Sequence, residues 1–294
     1  MIWDQPCSTA KNALAYGVQG LCCFHEPNPA EPLAPSICVA LTALNTKSSV
    51  VESVYGDASA IFVNNRRIDA LECKRTLQCV EAAFTFWRIK PPSFTIRSSN
   101  SVPMGWGLGT SGSGVAAAIK ALAQVPGRAI QSEDLLRSIS ANGSTSAPYS
   151  LLGGITIFDP LKGSYQTVRS ALLEACNVFI LPIRPPRHRG YANETLLSSV
   201  VAQMVQSAGV EIAYRMIESL KDGDFERLGQ LSEQSMFLKH GSLACGLPPL
   251  VAWAPRTLEI WQTLDELRCG KYSQFFMSCN SGSSLFVYAQ SASD

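Results

Sequence analysis

Strand-like apolar runs occupy residues 36–44, 49–55, 60–64 and 93–98, the last alternating apolar with polar at the period of two that a half-buried strand requires. Elsewhere the period lengthens toward 3.6 and predicts helices over residues 73–87, 114–124 and 132–140. Asn64-Asn65 falls at the end of a strand-like run and reads as the tight turn of a hairpin. Residues 155–158 and 177–183 read as further strands, so the first part of the chain has the mixed pattern of an α+β unit.

The segment Arg184-Pro-Pro-Arg-His-Arg-Gly190 is basic and stiffened by proline, a natural boundary between lobes at residues 1–183 and 184–294. Beyond it, Leu196, Leu197, Val200, Val201, Met204 and Val205 recur at helical spacing, as do Ile212, Met216, Ile217 and Leu220. Both stripes are expected to be core faces rather than a binding groove. Residues 225–240 and 257–269 read as helices, and 272–279 and 284–289 as closing strands. No internal repeat or low-complexity tract interrupts the pattern.

With 294 residues, 46% of them hydrophobic, the chain can bury one substantial core or two smaller ones. A net charge of +1, with both signs scattered, offers no electrostatic footprint for nucleic acid and no basic face for a membrane. No apolar run approaches the roughly 20 residues of a membrane span. Met1-Ile-Trp-Asp-Gln-Pro has neither the charged start nor the apolar body of a signal peptide, so a cytoplasmic protein is expected. The 10 cysteines contain no C-x-x-C pair and read as buried or inert thiols in a reducing compartment. The 3 histidines, His25, His188 and His240, are too dispersed for a metal site on one helix.

The richest chemistry lies in Pro103-Met-Gly-Trp-Gly-Leu-Gly-Thr-Ser-Gly-Ser-Gly114, between a strand-like run and a helix. Free N–H groups and the positive dipole end of a helix N-terminus favour an anion, and glycines let the main chain approach a phosphate closely. The hydroxyls of Thr110, Ser111 and Ser113 are candidates for phosphate or Mg²⁺ contacts, with Ser111 the candidate magnesium ligand. No lysine follows the glycines, so this is not the G-x-x-x-x-G-K-[ST] loop. A Gly/Ser-rich loop alone is equally compatible with a plain structural turn.

The whole motif resembles the ATP-binding motif of the GHMP kinase superfamily, and within it the mevalonate diphosphate decarboxylase branch. Gly143-Ser-Thr-Ser-Ala-Pro-Tyr-Ser-Leu-Leu-Gly-Gly154 is similar to that branch's Gly-Ser-Gly-Ser-Ala-Cys-Arg-Ser-Leu-Tyr-Gly-Gly segment. Pro32-Leu-Ala-Pro-Ser-Ile-Cys-Val-Ala-Leu41 looks like its Pro-Leu-Asn-Ser-Ser-Leu-Ser-Val-Thr-Leu strand. His240 ahead of Pro248-Pro249 resembles its His…Pro-Pro element, and Asn280-Ser-Gly282 sits where it has Asp-Ala-Gly. The resemblance implies a two-lobed α+β fold with an N-terminal lobe of the ribosomal-protein-S5 type, a ferredoxin-like C-terminal lobe and a cleft between them. It implies ATP and Mg²⁺ as cofactors, held by Gly105, Trp106, Gly107, Leu108, Gly109, Thr110, Ser111, Gly112 and Ser113. It also implies a small-molecule hydroxy acid as partner, while a homodimer stays open.

In that branch ATP phosphorylates a tertiary 3-hydroxyl, and phosphate then departs with CO₂ to leave an alkene. The residues expected to act here are Asn280, Tyr149, Ser144 and Ser146, with Lys11, Tyr16, Arg187 and Arg189 as candidate substrate contacts. Three positions depart from the pattern. Asn280 replaces an Asp and can orient a hydroxyl but cannot accept its proton. Tyr149 replaces an Arg and offers one neutral donor instead of a bidentate cation. The N-terminal Lys-Tyr-Trp-Gly-Lys motif is missing; Lys11 either supplies its charge or is a solvated surface lysine. The cluster of Arg184, Arg187, His188 and Arg189 is either a solvated basic loop or a phosphate clamp. His240 reads as a satisfied structural histidine before an acid or base. Trp106 stands where the family commonly has a small residue. Two functions stay open: an ATP-dependent enzyme acting on a 3-hydroxy acid with or without decarboxylation, and a catalytically silent relative that binds a metabolite or protein.

Overall fold

A computed structural model describes residues 11–23, 34–52, 59–69, 73–88, 90, 93–124, 144–183, 199–247, 249–251, 253–279 and 282–290. The helix expected over 132–140, the basic segment 184–190 with Arg187 and Arg189, Leu196, Leu197 and Asn280 lie outside these residues. Contacts divide the chain into two compact units that interleave along the sequence. The first is Met1–Val18, Ala40–Met104 and Leu108–Gly153, and the second is Gln19–Val39, Gly105–Gly107 and Gly154–Asp294. Residues 154–183 thus group with the C-terminal portion, whereas the boundary expected at residue 184 falls among residues not described.

Two long strands, β1 (Lys11–Cys22) and β2 (Ser36–Glu52), contribute to both units and pair with each other. In the first unit β2 lies antiparallel to β5 (Phe94–Asn100), which runs parallel to β3 (Ala60–Val63). β3 turns back into β4 (Arg66–Ile68) through Asn64 and Asn65, both left-handed with φ of 49° and 65°. That is the backbone of the two-residue hairpin turn, and asparagine is among the few residues that adopt it at low cost. Helices α1 (Lys74–Trp87) and α2 (Thr110–Leu122) cover a core built from Val50, Ile61, Phe84, Phe94, Ile96 and the alanine-rich face of α2. The run Ala116-Ala117-Ala118 is wholly buried, and short side chains allow close helix packing there.

The pattern predicted two strands over 36–44 and 49–55 where β2 is one strand of 17 residues. Leu44, Thr46, Ser48 and Val50 all point inward, so two polar residues interrupt the apolar face in mid-strand. Thr46 and Ser48 are satisfied by Asn100, Ser113 and Ser98, which removes the cost of burying them.

In the second unit Ser36–Val39 of β2 pairs antiparallel with β6 (Ile155–Asp159), and β6 with β7 (Ser164–Val168). A separate antiparallel sheet has the order β8 (Cys176–Pro182), β10 (Ser284–Gln290), β9 (Phe275–Ser278). Helices α5 (Ala202–Asp222), α6 (Phe225–Ala244) and α7 (Pro255–Arg268) accompany it, following the short α3 (Ala147–Leu152) of the first unit and α4 (Ala171–Glu174). Asp224 caps α6 by accepting the Arg227 N–H at 2.9 Å. The expected core face of α5 is corrected in part. Val205, Ile212, Met216 and Leu220 are buried, but Val200, which precedes the helix start at Ala202, is 86% exposed, and Met204 in its first turn is 64% exposed.

Candidate active site

β5 delivers the chain into the glycine-rich loop, and the loop opens directly into α2. Gly105, Gly107 and Gly109 have φ of 83°, 74° and 73°, a left-handed path that side chains resist. Gly109 is the N-cap of α2, with no side chain capping the helix and no acidic residue in its first turn. The Ser113 N–H is bonded to the Gly109 carbonyl at 3.0 Å. The N–H groups of Thr110, Ser111 and Gly112 therefore precede the first intrahelical bond and remain for an anion.

Behind the loop lies β1. A Cβ on Gly17 would come within 2.5 Å of the Leu108 carbonyl, and one on Gly109 within 2.5 Å of the Val18 N. The Gly109 constraint is thus backbone packing on β1, and a side chain there would not fill the phosphate space itself. Gly112 faces the Ser144–Ser146 segment: a Cβ would overlap Ser146 Oγ and lie 3.2 Å from Ser146 Cβ. Ser144 and Ser146 share a hydrogen bond of 3.0 Å. The Ser-x-Ser segment and the first turn of α2 are therefore in contact. Tyr16 on β1 lies against the far end of α3, with its ring carbons 3.4 and 3.5 Å from where a Gly153 Cβ would stand.

Other expected residues are placed differently. The Ser113 hydroxyl turns inward, 1% exposed, and shares a bond of 2.7 Å with Thr46, whose hydroxyl donates to Asn100 Oδ1 at 2.7 Å. It is committed to the core, which corrects its expected role as a phosphate or Mg²⁺ contact. Ser111 is exposed and Thr110 half-buried, so both stay available. Tyr149 on α3 is 6% exposed. Lys11 lies in β1, with its side chain outside the description. Thr46 and Asn100 were missed, because isolated polar residues on a strand carry no spacing signal; only pairing reveals them.

In the second unit the Trp106 carbonyl accepts the Ser284 hydroxyl at 2.5 Å. The end of β9, next to residue 280, is anchored from two sides. Gln19 Nε2 donates to Ser278 Oγ at 3.0 Å, and His240 Nε2 lies 3.1 Å from the Cys279 carbonyl. His240 is 8% exposed, its ring tilted against that of Trp253 with the centroids 4.8 Å apart. Burial first, then the Lys239 charge, pushes it down to about 4 against the pull of the Cys279 carbonyl. It is neutral at pH 7 with Nε2–H donating, a structural role rather than an acid or base. Its folded-state value lies below the unfolded one, so stability is complete above about pH 6.5 and falls as acid forces protonation. From pH 7 to 4.5 this costs about 2–3 kcal/mol. Urea unfolding of His240→Gln should show a shallower pH dependence by that amount; an unchanged slope would assign the acid sensitivity to other groups.

Among the described residues no cluster of three His, Cys, Asp or Glu side chains could hold a metal, and no helix is long and apolar enough to cross a membrane. Residues 25–166 match the family model of the diphosphomevalonate decarboxylase-like N-terminal domain. The phosphomevalonate decarboxylase of Haloferax volcanii is 24% identical over 289 residues, covering 94% of this chain and 86% of that protein. A structure described as MDDEF in complex with MVAPP, AMPPCP and magnesium superposes with a TM-score of 0.87 at 18% identity, covering 96% of this chain and 89% of that one. The mevalonate diphosphate decarboxylase from Enterococcus faecalis, in a structure concerned with ATP binding, gives 0.86 at 18% identity, covering 96% and 89%. The fold is that of the GHMP kinases. Over residues 25–166 the chain is similar to diphosphomevalonate decarboxylase-like N-terminal domains, and over nearly its whole length it is similar in fold to mevalonate diphosphate decarboxylases.

Proposed function

We propose that this protein is an ATP-dependent enzyme that phosphorylates the 3-hydroxyl of a phosphorylated mevalonate-type acid. The observation that carries the reading is the contact of Gly112 with Ser146. It sets an anion-ready helix N-terminus beside a hydroxyl pair, the two halves of a phosphoryl-transfer site. The N–H groups of Thr110, Ser111 and Gly112 hold the nucleotide phosphates, and Ser144 and Ser146 orient the acceptor. Mg²⁺ is bound largely through nucleotide phosphates in such sites and needs few protein ligands. The exposed Ser111 hydroxyl, on a helix turn without competing acids, fits that demand. When bound, the ion neutralises charge building on the transferred group.

Phosphoryl transfer depends chiefly on positioning and charge stabilisation, so an amide at residue 280 is compatible with it. The Arg of the decarboxylases is replaced by the buried Tyr149, so the acid group of the substrate is held without a guanidinium at that position. The relatives named above supply the substrate candidates. Purified protein with Mg-ATP and either phosphomevalonate or mevalonate diphosphate should release ADP, and the same reactions followed for CO₂ decide whether decarboxylation accompanies transfer. Ser111→Ala should raise the KM for Mg-ATP while leaving unfolding unchanged, since its hydroxyl is exposed. ATP binding without ADP release on either acid would return the silent-relative reading, and no ATP binding would remove the loop assignment.

A further inference from the structure

The spacing of the cysteines carries no redox signal, yet the second unit brings two of them together. Cys23 follows the last residue of β1 and Cys38 lies in β2, the strand with which β1 pairs. Their Sγ atoms are 3.4 Å apart. Cys23 is partly exposed, whereas Cys38 is 4% exposed. Paired strands run about 4.8 Å apart, within the Cα span of a disulfide. Closing the sulfurs to bonding distance needs a movement of only about 0.7 Å from each.

The two thiols are not equivalent. The hydrogen bond from Cys38 holds the Cys23 thiol below the ordinary cysteine range against the opposing effect of burial, helped by the Lys239 charge. The same bond, with burial, raises Cys38. Adjacent Cys22 is fully buried and pushed up to about 12, chiefly by desolvation. Cys23 is therefore the more accessible and the activated thiol, a second is in reach behind it, and the third is inert. That is the division of labour of a reactive thiol with a resolving partner.

We propose that Cys23 and Cys38 form a hydroperoxide-reactive dithiol, with Cys23 attacking and Cys38 resolving. The Cys23 thiolate attacks one peroxide oxygen: an S–O bond forms, the O–O bond breaks, and the departing alkoxide or hydroxide takes a proton from solvent. Cys38 then attacks the Cys23 sulfur. The S–S bond forms, the S–O bond breaks, and hydroxide leaves with the Cys38 proton as water. Two electrons pass from the thiol pair to the peroxide, and a small-molecule thiol returns them. The product ties the end of β1 to β2.

The test is peptide mapping of the native full-length protein after stoichiometric hydrogen peroxide and alkylation of the remaining thiols. The expected product has lost two hydrogen atoms, carries a Cys23–Cys38 linkage and reverts with dithiothreitol. In the untreated protein Cys23 should be alkylated at least about tenfold faster than Cys22. Cys38→Ser should stop oxidation at a Cys23 sulfenic acid that dimedone traps, and Cys22→Ser should change nothing. Linkage of other cysteines, linkage only after unfolding in urea, or equal alkylation of Cys22 and Cys23 would each overturn the assignment. The wild-type mapping stands even where a variant folds poorly.

Discussion

Gly112→Ala is expected to lower ATP-dependent turnover by about 100-fold, the scale on which a misplacement near 1 Å acts. The added Cβ meets Ser146 Oγ, and Ser146 C and Cβ both lie 3.2 Å away, so the serine segment must retreat from the first turn of α2. Overpacking of this kind also costs about 1–3 kcal/mol of stability. The two effects separate in a second variant. Gly112→Ala with Ser146→Gly removes Oγ and Cβ and leaves only the backbone C at 3.2 Å, so thermal unfolding should recover toward wild type while turnover stays low for want of the hydroxyl. Steady-state ADP release and unfolding of both variants check this. Full activity in Gly112→Ala would mean that the contact has no part in the chemistry.

The glycine-rich loop and the helix it opens were legible because their backbone demands are local. Left-handed φ at alternate positions demands glycine, and a helix N-terminus needs neighbours of fixed kind, so residues 103–114 carry their own signature. The Asn64-Asn65 hairpin was legible for the same reason. Pairing across distance was not. The polar residues Thr46 and Ser48 interrupt the apolar face of β2, and nothing in the sequence says that Asn100, Ser113 and Ser98 wait opposite them. Ser113 was misread by that same network, since its loop address suggested a phosphate and its partner turned it inward. The close approach of Gly109 to Val18 and the Cys23–Cys38 approach likewise depend on how β1 lies against its neighbours. β1 itself, with only small or isolated apolar residues in Lys-Asn-Ala-Leu-Ala-Tyr-Gly-Val, lacks the bulk that makes a strand conspicuous.

Arg268→Met should destabilise the protein by about 3–5 kcal/mol, the range for stranding one half of a buried ion pair. Arg268 is 1% exposed and Glu233 3%. The guanidinium meets both Glu233 oxygens, at 2.5 and 2.7 Å, and also Asp265, while its face covers the Tyr272 ring at 3.9 Å. Glu233 Oε1 in turn accepts the Met277 N–H at 2.9 Å, so the pair joins α6 and α7 to β9. Methionine fills much of the volume but leaves the carboxylate buried with neutral donors, the Met277 N–H and the Tyr272 hydroxyl, in place of a fork of charged ones. The pair's net worth is a different quantity, because removing two charges from water offsets most of their attraction. Glu233→Leu combined with Arg268→Met should therefore be far closer to wild type than either single variant, a coupling that a double-mutant cycle in urea measures directly. Additive losses would show that packing around α6 and α7, rather than charge, holds this end of the second unit. A strong coupling would identify the pair as the charged fixture that ties α6 and α7 to β9.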